Sequence, residues 1–326
     1  MSFEWRLLEI LADGNFHSGQ EIGELLGVSR AAVWKQLQKL EDAFALQLES
    51  VKGKGYRLVE SLDLLDDGAI RSAIPAGLPC TLHVVKQIDS TNRLAAELAR
   101  TGAAQVRGCV VLAEQQTAGR GRRGRPWVSP FARNIYCSIV WEFDSGAAAL
   151  EGLSLAIGVG VVQALRAVGV QGAGLKWPND VLHERRKLAG ILLEMTGDVS
   201  GRCQVVIGVG VNVNMAAAAD GELIDQPWTD AVRAAGKPVS RNELAASLIR
   251  HLLQVLQVFE SEGFVRFHRD WAALDCTQGE PVTVYIGEQA LHGIAAGVDT
   301  SGALAVDTES GRQWFHGGEV SLRAQN

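Results

Sequence analysis

The chain predicts an α+β protein of several domains, on three observations. It opens with a module of three short helices and a lysine-glycine hairpin. Its middle runs strands consecutively beside isolated helices, and its tail packs five short alternating strands into about fifty residues. With 326 residues, 47% of them hydrophobic and 21% charged, it has apolar material for at least one large core, and about two domains is the starting expectation. The pattern divides into residues 1–62, a linker at 63–79, a central segment at 80–272 and a tail at 273–326.

Each element follows from local signals. "WRLLEILAD" has apolar residues at helical spacing and stops near Gly14. "SGQEIGELLG" begins at a capping Ser18 and closes at Gly27, as helix termini do. "SRAAVWKQLQKLEDA" is a third helix capped by Ser29, burying Val33, Leu37 and Leu40 and exposing Arg30, Lys35, Gln36 and Lys39. "LQLESVKGKGYRLV" is two strands about Lys52 and Lys54. Helix, tight turn, cationic helix and basic wing make the winged helix-turn-helix pattern. Ser29, Arg30, Lys35, Gln36, Lys39, Lys52 and Lys54 are its candidate DNA contacts. A three-helix interaction module with solvated lysines is the plainer alternative.

"ESLDLLDDGAIRSAIPAGLP" reads as linker with a short helix inside. In the central segment "LHVVKQI", "CVVLAEQ" and "NIYCSIVWEF" are strands, while "STNRLAAELART" and "LSLAIGVGVVQALRAVG" are helices. "GLKWPNDVLH", "KLAGILLEM" and "CQVVIGVGVNVN" read as three more strands, and "RNELAASLIRHLLQVLQVFESEG" as a closing helix. This order suggests a sheet with helices on one face rather than a doubly wound fold. "PVTVYI", "LHGIAAGVD", "ALAVD", "RQWFHG" and "EVSLR" suggest a small barrel packed on the centre.

No window approaches the ~18 uninterrupted apolar residues of a membrane span, and the acidic, amphipathic start is not a signal peptide, so a cytoplasmic protein without a membrane partner is expected. Cys80, Cys109, Cys137, Cys203 and Cys276 form no C-x-x-C, and are expected to be buried, reduced and inert. The net charge of −6 disfavours a uniformly basic nucleic-acid binder. Its distribution matters more: windows 29–40, 51–59 and 115–141 hold basic residues and no acidic ones.

The last window contains "GRGRRGRPW", Gly119 to Trp127. Its letters fit a dinucleotide G-x-G-x-x-G, which requires a helix to open directly afterwards. Pro126 and Pro130 follow instead, and proline inside a helix costs about 3 kcal/mol. A P-loop wants Lys then Ser or Thr where this chain has Arg125 and Pro126. What remains is a flexible loop whose arginines can grip an anion. Taken alone, it suits a solvated face or a nucleic-acid patch equally well.

Three further fragments bear on it. "KWPND" sets a cation, an aromatic plane and two polar ends about a proline; "RKLAGILLE" places Lys187 beside apolar Leu188, Ile191 and Leu192; "GVGVNVN" brings Asn212 and Asn214 to a strand end. Lys187 could equally snorkel to solvent, and Asp180 could be a turn former.

Together "DSTN", "EQQTAGRGRRGRPW", "KWPND", "KLAGILLE" and "GVGVNVN", in this order and at these separations, closely resemble the bifunctional biotin protein ligases that double as biotin operon repressors, over essentially the whole chain. The resemblance implies a winged helix-turn-helix, a central mixed-sheet α/β ligase domain like that of class II synthetases, and an SH3-like C-terminal barrel. It implies that biotin and ATP are joined to biotinyl-5′-adenylate, and that biotin passes to a lysine of biotin carboxyl carrier protein. Lys187 and Arg122 would be catalytic. Ser90, Thr91, Asn92, Gln116, Arg120, Gly121, Arg122, Lys187 and Gly190 would bind biotin, and Arg122, Arg125, Trp127, Lys176, Asn179 and Asn212 the nucleotide. Mg2+ would ride largely on the phosphates, with Asp180 the nearest protein group. The implied partners are the carrier protein, operator DNA of biotin biosynthesis genes and a second copy of the chain, recruited by ligand. The chain departs from its relatives at "PFARNIY", where Ala132 and Arg133 precede the strand, and this leaves ligand contacts around Arg133 open. Alternatives are a ligase whose front domain does not repress, a lipoate or octanoyl ligase, and a transcription factor whose central domain only senses ligand.

Overall fold

The computed structural model describes residues 3–324 apart from 103–105, 145, 147–149, 198–200, 216–223, 225, 288 and 318–319. The first domain holds α1 (Phe3–Leu11), α2 (Gly19–Leu26), α3 (Arg30–Phe44) and an antiparallel wing of β1 (Leu48–Val51) and β2 (Gly55–Leu58). Ser18 and Glu21 form a reciprocal capping box, and Ser29 Oγ accepts from Ala32 N at 3.3 Å. α2 and α3 meet closely at Gly23, where a Cβ would lie 2.7 Å from the Val28 carbonyl. Leu7, Leu11, Ile22, Val33, Leu37 and Leu58 form the core. One expectation fails here: Gln36 turns toward the body of the module and its Oε1 is buried, because it precedes Leu37 on the flank of the buried stripe. Arg30, Lys35 and Lys39 are exposed on α3 as expected, with Ala31, Trp34 and Gln38 beside them.

The linker is docked rather than loose. α4 (Asp67–Ser72) buries Ile70 in the central core. Leu65 N donates to Glu114 Oε1 at 2.6 Å, and Glu114 Oε2 pairs with Arg241 Nη1 at 2.8 Å. The pair is enclosed, with Arg241 also donating to the carbonyls of Asp63 and Asn134.

The central domain runs β3 (Thr81–Ile88), α5 (Thr91–Thr101), β4 (Cys109–Gln116), β5 (Asn134–Phe143), α6 (Leu153–Ala167), β6 (Ala173–Lys176), β7 (Asp180–His183), β8 (Arg186–Gly197), β9 (Cys203–Asn212), α7 (Ala231–Ala235), α8 (Arg241–Glu262) and α9 (Val265–Ala272). Its seven strands lie in the order β3-β4-β5-β9-β8-β7-β6, antiparallel except for β3 and β4. Two readings are corrected. "GLKWPNDVLH" is a hairpin, not one strand, turning at Trp177–Asn179 so that Lys176 pairs with Asp180; a proline in mid-strand removes a ladder donor. Nor do the helices share one face. α6 and α8 cover Ile139, Ile191, Ile207 and Val209, whereas α5 lays Ala95 and Ala99 on Val111, Val140 and Val206 of the opposite face. The period-two alternation of the strands makes both faces apolar at that end.

β10 (Pro281–Ile286), β11 (Gln289–Val298), β12 (Leu304–Thr308), β13 (Gly311–Phe315) and β14 (Val320–Ala324) form an antiparallel sheet in the order β13-β12-β11-β10-β14. Glu319, in the last expected strand, lies outside the described residues. This domain packs on the centre as expected: Trp177 Nε1 donates to Gly302 O at 3.1 Å, and a Cβ on Gly302 would meet Gly152 Cα at 2.9 Å. Cys109, Cys137 and Cys203 are buried, but Cys276 is exposed, against expectation. It sits on the connection that bridges to Leu175, whose carbonyl its thiol contacts at 3.0 Å.

Candidate active site

The sheet face that carries α5 continues past that helix as a floor made of glycine. Gly190 on β8 is registered against Gly210 on β9, and Gly210 against Tyr136 on β5; Gly208 lies two residues along. Residues two apart share a face, so three missing side chains open a shallow trough. Its far end is lined by Asp180 and Lys176, which continue the same row.

A polar cluster closes one end. Thr91 donates its backbone N–H and its hydroxyl to Gln116 Oε1 at 2.9 and 3.0 Å. Ser138 Oγ lies 2.7 Å from Thr91 Oγ1 and 2.6 Å from Asn92 Oδ1. Those three short hydroxyl contacts share only the two hydroxyl hydrogens of Thr91 and Ser138, which leaves the cluster short of donors and suits a ligand bearing N–H groups. Ser90 is buried at the start of α5, yet its hydroxyl makes no capping bond. Asn92 is held by the protein itself: its amide oxygen faces Ser138, its Nδ2 donates to Glu194 Oε2 at 2.7 Å, and it lies over Gly208.

At the other end Lys187 Nζ sits 2.8 Å from Asp180 Oδ1, with both side chains less than one-fifth exposed. Its backbone is fixed from two sides. Lys187 N donates to Pro227 O and Thr229 N to Lys187 O, each at 2.9 Å. Asn212 Nδ2 then ties Thr229 O at 3.0 Å to the end of β9. Asn179 joins the group, donating to Ile191 O at 2.8 Å and accepting from Arg122 Nη1 at 3.2 Å.

The segment "GRGRRGRPW" is a small hairpin. Gly121 N donates to Arg125 O at 2.8 Å and Trp127 N to Gly119 O at 2.9 Å, about a single 3-10 turn at Arg122–Gly124. Gly119 is required by close approach, since a Cβ there would lie 2.7 Å from Trp127 O. Arg120, Arg123 and Arg125 point to solvent, whereas Arg122 turns inward. Burial pulls the Arg122 guanidinium below its ordinary pKa, neighbouring Arg123 lowers it further, and Asp180 opposes both. Arg120 reaches Glu194 at 3.8 Å. Trp127 lies flat on the floor, where Cβ atoms added at Gly210 and Gly190 would stand 2.5 and 2.9 Å from its ring. Lys187 Nζ is 5.4 Å from the ring centre.

One trough thus gathers Thr91, Asn92, Gln116, Arg120, Gly121, Arg122, Trp127, Asn179, Asp180, Lys187, Gly190 and Asn212, with Lys176 and Ser90 at its ends and Arg125 outside on the hairpin. Arg133 does not join it, pairing instead with Glu60 of the first domain at 2.9 Å. Sequence reasoning missed Ser138, Glu194, Trp228 and the floor glycines Gly208 and Gly210. Trp228 forms a parallel bridge with Lys187. Two glycines at alternate positions of a strand were a legible sign that something approaches the backbone closely. Among the described residues no cluster of three His, Cys, Asp or Glu could hold a metal ion, and the Asp180 carboxylate is engaged by Lys187. Among the described residues Asp180 is the carboxylate of the trough beside Lys187, and a Mg2+ ion there would rely on it and on the nucleotide's phosphates.

Similarities to known proteins follow this division. Residues 84–212 match the model of the biotin/lipoate A/B protein ligase family, 6–57 that of an HTH domain and 277–323 that of the biotin protein ligase C-terminal domain. The bifunctional ligase/repressor BirA of Salmonella typhimurium is 43% identical over 98% of this chain and 97% of its own length. Its Escherichia coli counterpart is 42% identical over the same shares. The biotin protein ligase of Aquifex aeolicus, solved with biotin and ATP, superposes with a TM-score of 0.65 at 29% identity, over 75% of this chain and 99% of that one. The chain belongs to the biotin/lipoate protein ligase family, among its bifunctional ligase/repressor members.

Proposed function

We propose that the protein activates biotin with ATP as biotinyl-5′-adenylate, releasing pyrophosphate, and transfers the biotinyl group to one lysine of biotin carboxyl carrier protein. The observation that carries this reading is the trough itself: a donor-poor polar cluster at Thr91, Gln116 and Ser138 at one end, a lysine held by a carboxylate at the other, and flat glycine between them. Biotin's ureido N–H groups fit the first and its carboxylate the second.

In the first step a carboxylate oxygen attacks the α-phosphate, and the pyrophosphate oxygen leaves with its electron pair. Both reactants are anions, so cations must offset their repulsion and hold the charge that develops. Lys187 and Arg122 face that point, each already oriented by the Asp180–Asn179 turn. Bound Mg2+ supplies further neutralisation of the phosphates. Asn212 and Asn179 fix the strand ends that the nucleotide meets, Lys176 and Arg125 add positive charge, and Trp127 leaves the floor to cover the ligand. Backbone groups of Arg120 and Gly121 close over biotin. In the second step the carrier lysine's amine attacks the acyl carbon and AMP departs. The hairpin keeps water from the mixed anhydride until then.

The same chain represses biotin biosynthesis genes with the adenylate as corepressor, acting in the cytoplasm. The first domain supports this, with Arg30, Lys35, Lys39, Lys52 and Lys54 outward on α3 and the wing. Adenylate-bound chains pair to meet a two-half-site operator. In support, β8 runs on beyond Gly190, where its ladder with the short β7 ends.

The test uses purified protein, biotin, MgATP and apo carrier, read for biotin on the carrier lysine. Labelling that requires all components is expected. Labelling with lipoate in place of biotin, or none, breaks the proposal. A gel shift of the biotin biosynthesis promoter that appears only with biotin and ATP is expected of the regulatory half, and no ligand-dependent shift removes it.

A further inference from the structure

The outward side of α3 holds one residue that a purely cationic surface has no use for. Arg30, Ala31, Trp34, Lys35 and Gln38 are all exposed there, opposite Val33, Leu37 and Leu40. Trp34 is 52% exposed and has no hydrogen-bond or ring partner among the described residues. A scattered exposed aliphatic needs no explanation. Trp34 differs in its position, at the fifth residue of a helix whose first turn is capped by Ser29 and pressed against α2 at Gly23. That end of the second helix is where a helix-turn-helix meets base edges, while the surrounding cations meet phosphates.

We propose that Trp34 reads bases in the major groove of duplex DNA, laying its indole against thymine methyl groups, with Arg30 and Lys35 on the flanking phosphates. The inference rests on the DNA-binding reading of the first domain. Charge selects the partner class: residues 29–40 contain Arg30, Lys35 and Lys39 and no acid, in a chain of net charge −6. An apolar protein partner would gain nothing from that ring of cations. The indole selects the base. Its Nε1–H only donates, and thymine alone sets an acceptor O4 beside an apolar methyl in that groove.

Duplexes are selected from a randomised pool by the protein with biotin and ATP, and each thymine of the selected site is then replaced by deoxyuridine, which lacks only the methyl. Wild-type protein should lose about three- to tenfold in affinity at one or two positions. Trp34→Ala should bind the unmodified duplex roughly ten- to a hundredfold more weakly, consistent with base contacts, and should not respond to deoxyuridine. Its salt dependence should match wild type, whereas Lys35→Ala should lower the slope by about one. An unchanged melting temperature and far-UV circular dichroism of Trp34→Ala, with unchanged biotin-dependent pyrophosphate exchange, confirm that both the first domain and the central domain are folded. Equal affinity and an equal deoxyuridine response in Trp34→Ala overturn the proposal, as does a loss that appears wholly as a reduced salt slope. If wild-type protein enriches no sequence at all, the DNA-binding reading fails first, and this inference with it.

Discussion

The two walls of the trough are built in opposite ways. The strand-borne wall carries Lys187, Asp180, Asn212 and Ser138 on a registered sheet with Thr91 at the start of α5 against it, and these side chains hold one another or the strand ends at 2.6–3.0 Å. The hairpin wall, Gly119 to Trp127, is tied by few backbone bonds and leaves Arg120, Arg123 and Arg125 in solvent. Rigid placement suits groups that must meet a developing charge, since misplacement is costly. Loose attachment suits a cover that must admit substrate and later a carrier lysine. The site is thus precise where chemistry occurs and yielding where traffic passes.

The largest effect should come from the strand-borne wall. Lys187→Ala should lower biotin-dependent ATP–pyrophosphate exchange by at least about a hundredfold, the scale of losing one charge-stabilising donor, with the melting temperature little changed. Near-normal exchange would sink the assignment. Gly210→Val tests the floor: its side chain would stand where Trp127 now lies 2.5 Å from a Cβ. We expect biotin affinity measured by calorimetry to fall about a hundredfold while the sheet survives, valine being a good strand former; unchanged affinity would show that the trough is not where biotin lies.

The hairpin wall should behave differently. Arg122→Gly removes the bond to Asn179 Oδ1 and should lower exchange about ten- to a hundredfold, the scale of one charge-assisted hydrogen bond, while adenylate escapes and labels unrelated lysines. Slow adenylate release with no stray labelling would contradict the contrast between the walls. The smallest effect belongs to Arg133→Ala, which loses the pair with Glu60. About 0.2–1 kcal/mol of stability should go, as for partly exposed ion pairs, with exchange unaltered; a ligand-binding defect would mean that Arg133 reaches the trough after all.

Much of this was legible from residues alone. The helices of the first domain were marked by Ser18, Gly27 and Ser29, and the wing by its lysine-glycine turn, because caps and turns are local chemistry. Pro126 correctly excluded a phosphate-binding helix after Gly124. What stayed hidden depends on partners distant in sequence. Nothing near Glu114 announces that Arg241 will enclose it, and α5 gives no local sign of which sheet face it covers. The resemblance implies Asn92 as a ligand contact, but nothing near it in sequence shows that its amide also meets Ser138 and Glu194 in the fold. Arg133 was open between ligand and solvent in the sequence, because only the chain's path brings it to Glu60.

Phe131 carries a consequence for how the protein melts. Three residues before β5, it inserts among the helices of the first domain, its ring centroid 4.2 Å from that of Phe44 and 6.3 Å from that of Trp5, and it is 2% exposed. A module of some sixty residues has little core to lose, and here part of that core is donated by the neighbouring domain. Severed at the linker, the module would have a void where the ring had been, and its neighbour would expose an aromatic. The two should therefore unfold in one calorimetric transition, with Phe131→Ala separating it into two.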